Sequence, residues 1–216
     1  MKKTQLLLIT VIVFAIITGC SRANNTALPT PIIPTQLPTL APTPSPSPCN
    51  LSPIVVPTMP AEIPGYTLLD PNTNLHMTGT PQQIDPTTYR LKVTGKVDHS
   101  LSLTLDEIRC MPKTTAKVVL ICPGYFEDVA TWSGVPIYYI LDMAGVQPEG
   151  ASLSLKADDG HTAYVEIKAS REAENFLAYE WEGQPLPILH GFPVRAVFPS
   201  MYGNKWVKWL VEIVIE

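Results

Sequence analysis

The residues with the most chemistry to offer lie in the second half of the chain. Cys122 closes the apolar run Lys117-Val118-Val119-Leu120-Ile121-Cys122 and stands directly before Pro123-Gly124. A strand that ends at a Pro-Gly turn presents its last side chain at a sheet edge, where a cleft can open. The competing reading is a plain core thiol, since free cysteine is among the most buried residue types. Further along, no Asp or Glu occurs between Glu182 and Glu212, yet His190, Arg195, Lys205 and Lys208 fall within nineteen residues of that gap. Spaced by Gly191, Pro193, Pro199 and Gly203, they suit loops that hold a phosphorylated or oxyanionic ligand with backbone and side-chain donors. A solvated basic edge is the alternative. Against it, Phe192, Val194, Val197, Phe198, Trp206 and Trp209 make the segment too apolar to lie wholly on the surface. Neither glycine-rich nucleotide motif is present, and the histidines and cysteines lack the paired spacing of a zinc site.

These side chains need a scaffold. Tyr89, Leu91 and Val93 alternate with Arg90, Lys92 and Thr94, which predicts a half-buried strand over 89–97. Thr104-Leu105-Asp106-Glu107 is a capping box ahead of Ile108, and Pro112 ends the short helix it starts. The run 117–122 predicts a buried strand. From Pro136 to Gly145, Ile137, Ile140, Leu141 and Ala144 share one helical face. Further strands are expected over 153–155, 163–167, 176–179, 194–198 and 207–215. Short strands with two helices predict an α+β domain of mixed sheets, folded from a start between Gly65 and Tyr89 to the C-terminus. About 130 to 150 residues suffice for one core.

The N-terminal part has another character. Lys2 and Lys3 precede an apolar run from Leu6 to Ile17 that is short for a membrane span and suits an export signal over residues 1–19. Ile17-Thr18-Gly19-Cys20 resembles the bacterial lipobox, in which cleavage precedes a cysteine that carries diacylglycerol; an ordinary small-residue cleavage site and an uncleaved anchor are the alternatives. Two or three acyl chains on Cys20 bury enough methylenes for stable anchoring to the cell membrane. Cleavage removes two lysines and no acid, so the formal charge falls from -4 to -6, which suits neither nucleic acid nor an anionic bilayer face. Between Ala23 and Ala61 there is no charged residue, and 12 of the 23 prolines lie from Pro29 to Pro64. Residues 20–64 therefore read as a disordered, semi-rigid Pro-rich tether ahead of a domain over 65–216. With Cys20 lipidated, Cys49, Cys110 and Cys122 remain, an odd number for an oxidising compartment. Cys49 and Cys110 can pair and staple the tether to the domain, although sequence leaves the connectivity open.

Several blocks together carry a family resemblance. They are Tyr89-Arg90-Leu91-Lys92-Val93-Thr94-Gly95, Trp132-Ser133-Gly134-Val135, Ala178-Tyr179-Glu180, Gly183-Gln184-Pro185-Leu186-Pro187, His190-Gly191-Phe192-Pro193-Val194-Arg195 and Val207-Lys208-Trp209-Leu210. From about Thr88 to Glu216 the chain resembles the molybdopterin-binding domain of the sulfite oxidase family. The resemblance implies that fold and a Mo-molybdopterin cofactor, with Cys122 at the position of the thiolate that ligates molybdenum. It further implies pterin contacts from His190 and Arg195, from Trp206, Val207 and Lys208, and from an aspartate before Tyr164, either Asp158 or Asp159. Arg195 and Lys208 would neutralise the phosphate and His190 would bond the pterin.

The departures from that pattern are specific. The family's N-terminal segment carries Asn, Arg and His, whereas residues 65–88 hold His76 and no arginine, so that wall of the pocket is expected to be missing. Where sulfite oxidases have Gly-Asn-Arg-Arg after the cysteine, this chain has Pro123-Gly124-Tyr125-Phe126-Glu127-Asp128. Two carboxylates near the mouth would repel sulfite. The chain stops at Glu216 without the family's dimerisation domain, which makes a monomer the expectation. No haem or iron-sulfur spacing occurs, so electrons would pass to or from a separate electron-transfer protein or quinone-linked partner. The leading expectation is an extracytoplasmic, lipid-anchored molybdenum-pterin oxidoreductase acting on a small molecule or a sulfoxide-like group. The alternatives are a cofactor-free binding module of the same fold and a purely structural surface lipoprotein.

Overall fold

A computed structural model describes residues 49–216; the expected signal segment, the lipobox Cys20 and the tether as far as residue 48 lie outside the described residues. Leu69–Asp70 (β1) and Leu75–His76 (β2) form a small hairpin. Leu91–Gly95 (β3) and Leu101–Leu103 (β4) pair antiparallel ahead of the helix Leu105–Arg109 (α1). The long hairpin of Thr114–Cys122 (β5) and Phe126–Pro136 (β6) leads into Ile137–Ala144 (α2). Ser152–Ala157 (β7) and Thr162–Glu166 (β8) are followed by the single turn Ile167–Ser170 (α3). Phe176–Trp181 (β9), Gln184–Pro185 (β10), Arg195–Val197 (β11) and Leu210–Ile215 (β12) complete the elements.

Two sheets result. One runs β10-β9-β6-β5 and is antiparallel, with β11 also paired to β9. The other runs β4-β3-β12-β7-β8 and is mixed, because β12 lies parallel to β3 and antiparallel to β7. The expected α+β class with mixed sheets is therefore the observed one. Leu91 and Val93 are buried and Lys92 exposed, as the alternation required. Both arms of the capping box form: Thr104 Oγ1 accepts from Glu107 N–H, and Glu107 Oε2 accepts from Thr104 N–H at 2.8 Å. The buried face of α2 is Ile137, Ile140, Leu141 and Ala144.

Four sequence expectations need correction. The run 117–122 lies in β5 but is not a buried strand: Leu120 is buried, whereas Val119 and Ile121 are exposed. The strand β6 was not foreseen. Its second half, Ser133 to Pro136, is buried on both faces, which erases the two-residue period that marks a half-buried strand. The strand expected from Val207 begins at Leu210, because Trp209 takes a left-handed φ of 48° that breaks the extended run. Ile167 starts α3 and does not extend β8.

Residues 49–64 carry no regular secondary structure but are tied to the domain. Cys49 is disulfide-bonded to Cys110, Arg109 donates to Ser52 O at 2.9 Å, and Ile54 and Met59 pack against buried residues. The β1–β2 hairpin is latched at another point. Asp70, buried, accepts from Asn72 N–H and from Thr73 Oγ1, and its Oδ2 lies 3.1 Å from His190 Nε2; Thr73 Oγ1 lies 2.9 Å from the same nitrogen. A carboxylate only accepts, so Nε2 carries the ring proton. Burial holds the His190 ring far below its usual pKa, at about 3, helped by the charges of Lys208 and Arg195 and opposed by Asp70.

Two outcomes follow from these ties. Cys110→Ser opens a loop spanning 61 residues of separation, and by chain entropy should cost about 4 kcal/mol of stability, checked by denaturant titration against the oxidised wild type. An unchanged midpoint would contradict the staple. For His190, the unfolded ring binds a proton near pH 6.5 and the folded ring only near pH 3, so in that window the unfolded state holds more protons and stability falls as pH drops. The melting temperature should decline from pH 7 to pH 4 with a slope worth up to about 1.4 kcal/mol per pH unit, and His190→Gln should flatten it. An equal slope in the variant would refute this.

Candidate functional site

The tip of the β5–β6 hairpin brings the first chemistry-bearing residue into place. Cys122 ends β5 and pairs with Phe126 across the turn, leaving its thiol free and partly exposed. Nothing but Gly203 would fit beside it: a Cβ there would come within 2.5 Å of Sγ. The short helical turn Gly203–Lys205 thus passes close over the sulfur without covering it. Burial raises the Cys122 pKa, and the Asp128 carboxylate raises it further, while Lys208 and Arg195 act in the opposite direction.

Around that thiol is a small cavity of about 20 Å³, lined among others by His76, Asp128, Trp132, His190, Arg195 and Lys208. It is continuous in residues with a wider cleft of about 450 Å³, to which Cys122, Thr78, Gly203, Trp206 and Lys208 also belong. The cleft continues past Gly79, Asp159, His161 and Trp209, and exposed Tyr66, Tyr125 and Tyr202 stand at it. Its volume is in the range that holds a cofactor or small molecule.

Arg195, at the start of β11, is 1% exposed. Its Nη1 donates to His190 O at 3.1 Å, whereas Nε and Nη2 are buried with no partner. The guanidinium lies 4.5 Å from the Trp132 ring centre and 5.6 Å from that of Trp206, contacts that stabilise the charge without satisfying its donors. Burial lowers its pKa to about 10, so it stays charged at neutral pH. Lys208 is 8% exposed and donates to Thr78 O and Leu189 O; burial, and then the Arg195 charge, pull its pKa well down. Neither cation has a salt bridge among the described residues.

The other expected residues divide. His190 lines the small cavity, but its Nε2 is already committed to Asp70 and Thr73, so only the other ring nitrogen is left for a ligand. Trp206 lines both spaces and donates its Nε1–H to Phe198 O. Of the two aspartates, Asp159 lines the cleft and accepts from Thr80 N–H and His161 N–H. Asp158 is exposed and lines neither space, because its backbone N–H is drawn to Trp209 O. Val207 is fully buried in the core and lines neither space. Lys205, the last residue of the turn Gly203–Lys205, donates outward to Tyr164 O and lines neither space.

Two departures foreseen from the sequence also change. The N-terminal wall is present, built without arginine: Leu75, His76 and Thr78 line the small cavity, and Tyr66, Thr78 and Gly79 the cleft. Among the described residues, the hydrogen bonds from 66–80 to residues distant in sequence end on four residues, His190, Asp128, Lys208 and Asp159, each of which lines one of the spaces. The two carboxylates are not equivalent. Glu127 is exposed and outside both spaces, whereas Asp128 lies inside, hydrogen-bonded to His76. The parity of β6 carries the missed signal: Asp128 shares the buried register with Ala130 and Trp132, and Glu127 the exposed one with Val129.

A cavity pairing one free thiol with two buried, unpaired cations is suited to a soft, anionic guest. Comparisons agree with that chemistry. The model of the oxidoreductase molybdopterin binding domain matches residues 76–216. The chain is 34% identical over 137 residues to the uncharacterized oxidoreductase YuiH of Bacillus subtilis (strain 168), covering 63% of this chain and 69% of that one. It is 36% identical over 163 residues to mitochondrial sulfite oxidase of Rattus norvegicus, covering 62% of this chain and only 30% of the relative. Among solved structures it resembles sulfane dehydrogenase SoxCD from Paracoccus pantotrophus, with a TM-score of 0.59, 26% identity, and coverage of 62% of this chain and 40% of that one. With residues 76–216 matched, the chain belongs to the sulfite oxidase family, as a molybdopterin-binding oxidoreductase domain.

Proposed function

We propose that this chain is a molybdenum-pterin oxidoreductase that carries out two-electron, oxygen-atom-type chemistry at Cys122. The observation that carries the reading is Arg195: a buried guanidinium with two donor nitrogens unpartnered, in the same cavity as a free thiol. An orphaned cation fits a phosphate-bearing ligand, and a thiol left open by Gly203 fits a soft metal. The residues present therefore fit the group that the family binds. Arg195 and Lys208 would hold its anionic part, Asp159 would accept from ring amino groups, and Cys122 would ligate the metal. The bound metal supplies the two-electron redox chemistry; the protein supplies orientation and access.

The protein's own contribution begins with the thiol. In the metal-free chain burial and Asp128 favour the protonated form, so ligation requires Cys122 to lose its proton, which the positive field of Arg195 and Lys208 assists. His190, held neutral by burial and fixed in orientation by Asp70, adds no third positive charge to that cluster. Trp132 and Trp206 keep water from the guanidinium. The mouth is aromatic, with Tyr66, Tyr125 and Tyr202 exposed, which favours an uncharged organic substrate over a small hydrated oxyanion.

In the same reading the chain works outside the cytoplasm, held to the membrane by lipid on Cys20, with residues 20–48 as its arm and a separate electron-transfer protein as its redox partner. The support is the lipobox-like sequence, the proline-rich, uncharged stretch behind it, and a disulfide between Cys49 and Cys110, which persists in an oxidising compartment.

Full chain matured in a host that makes the cofactor should contain about one molybdenum per polypeptide by mass spectrometry, in keeping with a single thiolate ligand. Cys122→Ala should lose the metal, and Arg195→Ala should lower its content far more than Arg171→Ala. Metal-free wild type from a competent host would favour the cofactor-free binding module. Equal loss in the two arginine variants would contradict the pocket.

A further inference from the structure

Residues 49–64 run from the Cys49–Cys110 disulfide into the 66–80 wall of the cleft, and few contacts hold them along the way. Among the described residues, a single hydrogen bond joins them to the rest of the domain, Arg109 Nη2 donating to Ser52 O at 2.9 Å. Two half-buried side chains add apolar anchors. Ile54 packs on the main core, whereas Met59 packs on a separate cluster of Met77, Ile188, Leu189 and Trp209. Local opening costs least where backbone hydrogen bonds are few, so the covalent end is what keeps this strap seated.

The cluster that Met59 covers adjoins the site. Met77 is bonded to the start of the wall in both directions, with Thr67 N–H donating to Met77 O at 2.7 Å and Met77 N–H to Leu68 O at 2.8 Å, and it precedes Thr78, whose carbonyl accepts from Lys208. Leu189 O accepts from Lys208 as well. Trp209, fixed by its indole N–H on Ile188 O at 2.8 Å, lines the cleft. Met59 therefore packs on both of the segments that hold Lys208. At the other end of the strap, Cys49 and Cys110 are both exposed, so a reductant reaches their bond in the folded chain. Exposed disulfides are the ones that exchange readily.

We infer that the Cys49–Cys110 disulfide is a redox latch on the cleft wall: a protein dithiol that reduces it frees residues 49–64, lifts Met59 from its cluster and lets 66–80 loosen over the site, so that a bound cofactor is held less firmly. The dithiol gives two electrons and two protons, the bond between Cys49 and Cys110 breaks to two thiols, and the donor leaves as a disulfide. The hydrogen bonds of 66–80 to His190, Asp128, Lys208 and Asp159 stay in place, so the wall loosens without the domain unfolding. The identity of the guest rests on the molybdenum reading above; the coupling of disulfide to wall does not.

Hydrogen exchange read by mass spectrometry on full-length chain follows the wall, and molybdenum content follows the guest. The samples are oxidised wild type, Cys49→Ser/Cys110→Ser, which leaves neither partner to pair with Cys122, and Met59→Ala, which keeps the disulfide. In chain from a host without the cofactor, amides of 66–80 should exchange about tenfold faster in both variants than in oxidised wild type, while those of β9 and β11 keep their protection. Wild type treated with dithiothreitol should match the double variant. Cofactor-matured chain should lose molybdenum on dialysis about tenfold faster in the double variant than in wild type. The inference is overturned if exchange over 66–80 is unchanged in the double variant, if β9 and β11 lose protection to the same degree, or if Met59→Ala leaves 66–80 as protected as in wild type. Equal rates of molybdenum loss also overturn it. Matured wild type that contains no molybdenum overturns the cofactor reading, and the exchange measurement then still decides the latch.

Discussion

A positive charge kept out of water without a salt-bridge partner is the constraint around which this domain is arranged. Arg195 has one nitrogen on a backbone carbonyl, two nitrogens on nothing, and an indole on either hand. Unmade hydrogen bonds of buried charged donors cost on the order of 1–3 kcal/mol each, and the nearby Lys208 adds repulsion. A fold that maintains such a cost gains something from it when a ligand arrives. The sheet supports the arrangement directly: β9 is paired with β6, which carries Trp132 and Asp128, and with β11, which carries Arg195. The strands whose core burial stabilises the domain therefore also set the position of the guanidinium.

The segment 66–80 shows the same economy. Its ties to the domain are made through groups that line the site, so the wall and the site hold each other in place. Asp70 fixes the tautomer of His190 from this segment, and Thr78 takes a proton donor of Lys208. His76 lines the same small cavity as Cys122. An arginine-free wall can thus be complete.

Much of this was legible in the sequence, for identifiable reasons. Alternation marked β3 because one of its faces is buried and the other is wet, and a capping box marked α1 because both partners are local. Cys122 and the acid-free stretch stood out because they are unusual in type and charge, and Arg195 and Lys208 do meet at the thiol. Lys205 shared their sign but turns outward, since charge alone carries no direction. Asp158 and Asp159 were indistinguishable as neighbours, and only the turn that sends the Asp158 N–H to Trp209 O separates them. The His76–Asp128 pair spans 52 residues and joins two elements that had not been recognised as strands, so no local pattern announced it.

The central claim is that Cys122 donates its sulfur to a metal held in the cavity that Arg195 and Lys208 make positive. X-ray absorption at the molybdenum edge on loaded full-length chain tests this most directly, because it counts the sulfur neighbours of the metal. The expected result is one more sulfur neighbour in the wild type than in Cys122→Ser when both retain metal. The same sulfur shell in both proteins would contradict it.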